Sequence, residues 1–156
     1  RGVIMKYFLF SASLLLLWVL AGCSGLTLRP VDYAWPVETV LKVDGRGMIE
    51  ESRYLLTFNA KPLLFAETGD SVNVAGATLR MIRDRDGFYY VTGPKFRHVY
   101  VFVSSQGSLK LENKIMISEK GMEAPALNQR APYIQLLNGA DKPRMLSKSG
   151  IEEGVK

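Results

Sequence analysis

Beyond Pro36 no stretch of the chain holds an apolar period of 3.6 over ten or more residues, whereas several segments alternate with period two and stop at turn residues. That pattern predicts sheet and excludes a helical bundle. Apolar residues make up 47% of the 156, a share inflated by a greasy leader, and what remains has the composition of one globular domain. The expected fold is all-β, a small antiparallel β-sandwich or incomplete barrel of about eight short strands over residues 37–146.

Val37, Thr39, Leu41 and Val43 share one strand face, and Gly45-Arg46-Gly47 turns the chain into a long segment whose Tyr54, Leu56, Phe58 and Ala60 share another. Lys61-Pro62 interrupts it, so Leu63-Leu64-Phe65 is expected to be a bend or an edge strand. Val72 and Val74 begin a second group. Residues 78–83 and 88–92 flank Asp86-Gly87, which supplies the positive φ that tight hairpins demand. In residues 96–104, Val99, Val101 and Val103 point one way and His98, Tyr100 and Phe102 the other, which predicts a central strand covered on both sides. The next strand, 109–118, sets Leu109, Leu111, Ile115 and Ile117 opposite Lys110, Glu112, Lys114 and Met116 and should be half exposed. Residues 119–131 read as a long connection, 133–137 as a strand, 144–146 as a weaker one, and 147–156 as a frayed polar tail.

The leader is of a different kind. Met5-Lys6 precedes an apolar run over residues 7–21, about 15 residues, where a membrane-spanning helix needs ~20. A basic start, a short apolar run and small residues together make a secretory signal, with Met5 the expected start, residues 1–4 a mis-assigned extension and residues 1–22 removed. Its end, Leu20-Ala21-Gly22-Cys23, resembles the lipobox of bacterial lipoproteins, a resemblance that covers residues 5–23. It implies that the Cys23 thiol takes a diacylglyceryl group in thioether linkage, that a dedicated peptidase cuts before Cys23, and that the new amino group is acylated, with palmitate the expected chain. Cys23 is the only cysteine, so the chain forms no internal disulfide, and lipidation consumes an otherwise unpaired thiol. Three acyl chains, at ~0.8 kcal/mol per buried methylene, exceed what stable anchoring needs. Lipoproteins of this class use Asp after the Cys as an inner-membrane retention signal. Ser24 therefore implies the outer membrane, with the domain facing the periplasm. The lipidated tether, residues 23–36, spans ~40 Å when extended and carries Tyr33 and Trp35, which are expected to dock on the domain's own core rather than among headgroups.

Charge narrows the function. The net charge is +5, and losing Arg1 and Lys6 with the leader leaves 18 basic against 15 acidic residues, too mild an excess for a nucleic-acid binder. One histidine and one committed cysteine leave no multi-ligand metal site and no thiol nucleophile. There is no Gly-x-Ser-x-Gly elbow, and Gly45-Arg46-Gly47 lacks the third glycine of a nucleotide-binding loop. Glu50-Glu51 and Glu152-Glu153 are adjacent and point to opposite faces of an extended chain, while Asp84 and Asp86 flank a hairpin tip. His98 is expected to be a half-buried imidazole satisfied by a neighbour rather than a catalytic base. No catalytic residue, metal or cofactor is expected beyond the covalent lipid on Cys23.

The most distinctive segment interleaves Arg80, Arg83, Arg85, Lys95 and Arg97 with Phe88, Tyr89, Tyr90, Phe96 and Tyr100. Arg and Tyr are enriched at protein interfaces, which makes Arg80, Arg83, Arg85, Tyr89, Lys95 and Arg97 a candidate partner-binding face. Against it stands the commoner arrangement of long basic stems lying over a sheet whose aromatics fill the core. The expected function is that of a membrane-anchored lipoprotein with a non-catalytic β-domain, a binding or assembly module that meets a protein partner of the cell envelope. The alternative is a carrier of a lipid or small apolar ligand, with the Val99-Val101-Val103 or the Tyr100-Phe102 row lining the cavity of a half-open barrel. Metabolic labelling with a fatty acid should mark the wild type and leave Cys23→Ser unlabelled and uncleaved, and normal acylation of that variant would refute the anchor. Fractionation should place the wild type in the outer membrane and Ser24→Asp in the inner membrane in a host that sorts by this residue.

Overall fold

A computed structural model of the protein describes residues 37–106 and 108–154. The leader, Cys23, Ser24 and the tether with Tyr33 and Trp35 lie outside the described residues. Among the described residues strands dominate, all pairing is antiparallel, and no sheet closes into a barrel. Among the described residues eleven strands form, more than expected: β1 (Thr39–Lys42), β2 (Met48–Glu51), β3 (Leu56–Asn59), β4 (Thr78–Arg83), β5 (Phe88–Thr92), β6 (His98–Ser105), β7 (Ser108–Met116), β8 (Pro125–Arg130), β9 (Tyr133–Asn138), β10 (Arg144–Ser147) and β11 (Gly150–Glu152). A helix, α1 (Lys61–Thr68), stands between β3 and β4.

The main sheet has five strands in the order β1-β4-β5-β6-β7, and a second runs β11-β10-β9-β8. The β2–β3 hairpin stands apart as a two-stranded ribbon. The β4–β5 hairpin turns where Asp86-Gly87 predicts: Gly87 has φ +93°, and Asp84 Oδ1 accepts the Phe88 N–H at 2.9 Å. β6 is the fourth strand of five rather than the middle one. Its first half is nevertheless buried on both faces, from His98 to Val101.

Register explains why. Leu41, Leu79, Met81, Tyr89, Val91, Tyr100 and Phe102 share one face of the main sheet, and Arg80, Ile82, Tyr90, Thr92, Val99 and Val101 share the other. α1 and the β2–β3 ribbon cover the first face, with Tyr54 edge-on to Tyr89 at 5.4 Å between ring centroids. The second sheet covers the other through Leu127, Ile134, Leu136 and Leu146. The carboxylate of Glu38 ties these layers together, since Oε2 takes Arg80 Nη1 at 2.8 Å and Oε1 takes the Leu127 N–H at 2.7 Å. Asn113 Nδ2 donates to the Lys148 carbonyl at 2.9 Å at the far edge of the same interface.

β7 carries a bulge. Val101 pairs with Asn113 and Phe102 with Leu111, so Glu112 has no partner. The extra residue shifts the alternation by one. Asn113 and Ile115 follow the valine row, whereas Leu109 and Leu111 join Phe102 on the opposite face. The expectation that Leu109, Leu111, Ile115 and Ile117 share a face is thus corrected, because period two cannot see an inserted residue.

Four further expectations are corrected. Leu63-Leu64-Phe65 is neither bend nor edge strand but part of α1, because Pro62 sits in the first turn, where its missing N–H costs nothing. The helix ends on Gly69 at φ +74°, whose N–H reaches the Phe65 carbonyl at 2.9 Å. The long segment before it breaks at residues 52–55 into β2 and β3. The stretch read as a connection holds β8, with Pro125 at its first position on a sheet edge, where the ladder needs no donor. The polar tail holds β11, which pairs with β10 through Ile151 and Leu146.

Val101 is fully buried, with Tyr90 and Asn113 as its cross-strand neighbours. Val101→Asp places an unpartnered charge between two layers and costs several kcal/mol, a large share of the ~5–15 kcal/mol of a typical domain. Circular dichroism of that variant should show no cooperative melt; a wild-type melting curve would mean that the two layers do not close over β6.

Candidate functional site

α1 is amphipathic in a restricted sense: its buried residues are Leu64 and Glu67, one helical turn apart. Burying a carboxylate is costly unless every lone pair is served, and here donors surround it. Glu67 Oε2 accepts the Arg97 backbone N–H at 2.6 Å. Glu67 Oε1 accepts Nδ1–H of His98 at 2.7 Å and the Tyr100 hydroxyl at 2.6 Å. Lys114 Nζ lies further off, 3.9 Å from the same oxygen and 5.3 Å above the Tyr100 ring. Burial works against ionisation of Glu67, but the Tyr100, Arg97 and His98 donors outweigh it and hold its pKa below the ordinary carboxylate value. Burial and the hydrogen bond to Glu67 push the Tyr100 hydroxyl well above the ordinary tyrosine value.

This constellation has the parts of an acid–base pair but the connectivity of a brace. The carboxylate fixes the His98 ring with Nδ1 protonated, as the acid of a catalytic triad does. No Ser, Thr or Cys side chain hydrogen-bonds the ring among the described residues. Both oxygens of Glu67 are also spent on holding α1 to the start of β6. Among the described residues no group of three or more His, Cys, Asp or Glu side chains is arranged to hold a metal ion.

Beside the brace lies an apolar groove of about 450 Å³, within the ~300–1,000 Å³ range of small-molecule sites. Leu56 and Phe58 of β3 and Pro62, Leu63 and Ala66 of α1 form one wall. Val91, Tyr100, Phe102, Leu109 and Leu111 of the main sheet form the other. Thr57, Asn59 and Ser108 add the polar atoms, and no lining residue is charged. The bulge at Glu112 is what brings Leu109 and Leu111 here. Leu111, about half exposed at 48%, lies at the mouth. Tyr100 and Phe102 line the groove, whereas the valine row faces the second sheet.

The six residues of the candidate partner-binding face do not share one surface. Arg83 and Arg85 are exposed at the β4–β5 hairpin tip, Arg83 lying 5.6 Å over the Tyr89 ring. Tyr89 itself is buried. Lys95 and Arg97 are exposed at the opposite end of the sheet, in the turn between β5 and β6. Arg80 points to the other face and is engaged by Glu38. Alternation along β4 and the length of β5 separate what the sequence sets side by side.

Sequence reasoning named the Tyr100-Phe102 row as a cavity lining but did not single out Glu67, Lys114 or the α1 and β3 wall of the groove. A signal for Glu67 exists, since Pro62 and Gly69 bracket a helix of two turns and the 3-residue spacing puts Glu67 beneath Leu64. Compared with known protein families, with curated proteins and with solved structures, the chain matches none.

Glu67→Gln keeps the shape but turns an amide donor toward either Arg97 N–H or the His98 and Tyr100 donors, a loss of about 2–4 kcal/mol at neutral pH. A carboxylate whose folded pKa lies below its unfolded value gives its full stabilisation above the unfolded value and loses it as the pH falls through the folded one. Melting temperatures of the wild type and Glu67→Gln should therefore differ at pH 7 and converge once the pH is well below ~4. A gap that persists unchanged in acid would show that the charge of Glu67 is not what braces α1.

Proposed function

We propose that the protein is a membrane-anchored lipoprotein of the cell envelope whose β-domain is a non-catalytic binding module, with the groove between α1, β3 and the β6–β7 edge as its binding surface. The observation that carries this reading is the groove itself: a concavity walled by carbon that the described side chains leave unfilled. Apolar surface left open in a well-packed domain marks a place where something else binds. The anchor rests on the resemblance of Leu20-Ala21-Gly22-Cys23 to the lipobox, and Ser24 favours the outer membrane.

Catalysis is disfavoured by the connectivity of the one His–carboxylate pair, whose oxygens are spent within the core. Binding of a small apolar ligand is favoured over a broad protein contact, because the exposed arginines and lysines of the sheet are divided between its two ends.

A neutral solvatochromic dye such as Nile red should brighten in the presence of the folded protein. Leu111→Glu should abolish the response while leaving the melting temperature within a degree or two of wild type, because the side chain is half exposed. An undiminished response in Leu111→Glu would place the binding surface elsewhere.

A further inference from the structure

The groove is uniform in its carbon lining but not symmetric at its ends. On the face of β7 that meets it, Leu109 and Leu111 come first, Glu112 is skipped by the bulge, and Lys114 follows. Pairing places Leu109 opposite Ser104, Leu111 opposite Phe102 and Lys114 opposite Tyr100. The four residue steps from Ser104 to Tyr100 rise ~13 Å along the strand, so the carbon floor ends at a cation. Tyr100 belongs to both sites, since its ring lines the groove and lies beneath the ammonium.

That ammonium forms a long ion pair with Glu67 rather than a hydrogen bond, which leaves it able to turn toward a second anion. Glu67 has its short hydrogen bonds from Arg97, His98 and Tyr100, and Lys114 stands 3.9 Å away with a side chain 40% exposed. Exposed Lys95 and Arg97 lie at the same end of the sheet and add to a positive field there. Glu67 is the acid that Lys114 faces among the described contacts; a main-chain N–H, a ring N–H and a hydroxyl solvate its charge without cancelling it, so Lys114, Lys95 and Arg97 set three positive charges around one negative.

Resting on the reading of the groove as a binding surface, we propose that it takes a free fatty acid, with the alkyl chain along Leu109, Leu111, Phe102, Phe58 and Leu63 and the carboxylate on Lys114. An uncharged wall suits an alkyl chain better than a peptide, whose buried main-chain groups each require a partner. A single ammonium suits a singly charged carboxylate better than a phosphate, which is bound by several donors at once. The cation at the end then selects for the acid over the corresponding alcohol.

The test uses the full-length chain in phosphatidylcholine vesicles, photolabelled with diazirine derivatives of dodecanoate and dodecanol and mapped by mass spectrometry. Dodecanoate should mark peptides containing Leu63 and Leu111, in preference to dodecanol by about ten-fold. Lys114→Met should bring that preference close to parity and Lys114→Arg should restore it, both at the wild-type melting temperature. Equal marking by the two probes, with no effect of Lys114→Met, would overturn the fatty-acid assignment and leave the groove as a site for neutral apolar ligands. Suppression of dodecanoate labelling by phosphatidylglycerol vesicles as strong as that by free dodecanoate would also overturn it, in favour of a membrane lipid. No labelling of groove peptides by either probe would overturn both this proposal and the reading on which it rests.

Discussion

The three donors that converge on the Glu67 carboxylate hold the first face of the main sheet closed. Arg97, His98 and Tyr100 present an N–H, a ring N–H and a hydroxyl from a four-residue stretch at the start of β6, and Glu67 takes all three from above. A helix of eight residues is too short to be stable alone. Its place is secured by this charge-assisted set and by Leu64 beneath it. Without α1, Tyr100 and Val91 would lose cover on this face, and the groove would lose the wall formed by Pro62, Leu63 and Ala66.

Glu38 plays the corresponding part on the opposite face. One carboxylate reaches Arg80 in the main sheet and the Leu127 N–H in the second, so each buried layer contact carries a directional bond as well as apolar area. Apolar burial by itself has no preferred rotation. Two carboxylates on opposite faces of one five-stranded sheet give the stack its alignment, and both belong to segments that come early in the chain while their partners come later.

Much of this was legible before any coordinate. The Asp86-Gly87 hairpin and the two-sided character of residues 98–101 follow from turn chemistry and alternation, and the three-layer arrangement is what a two-sided strand requires. What stayed hidden depends on single residues that change the meaning of their neighbours. Pro62 reads as an interruption of a strand and equally as the opening of a helix, and the helix is too short for its periodicity to decide. Glu112 breaks the alternation of β7 without a glycine to mark the place. Pro125 looks like loop punctuation but sits at the start of an edge strand. Glu67 stays hidden because its two-turn segment shows no helical period, and Lys114 because a bulge two residues earlier decides which way it faces.

The bulge also has a meaning at the level of the gene. β7 is written in two reading phases, one before residue 112 and one after, and the bulge at Glu112 is the point where they are spliced. Loss of that one codon would leave Leu111 opposite Phe102 and Asn113 opposite Val101 and make the alternation regular, whereas a ladder that took in residue 112 would send Lys110 to the carbon wall and Leu109 and Leu111 to the side of Val103. Removing residue 112 is therefore a smaller edit than drawing it into the ladder, and a change of residue type there leaves the phase intact while the residue stays unpaired. The unpaired residue functions as a spacer, and what it spaces is the boundary between the part of the strand that carries the ammonium and the part that carries the leucines.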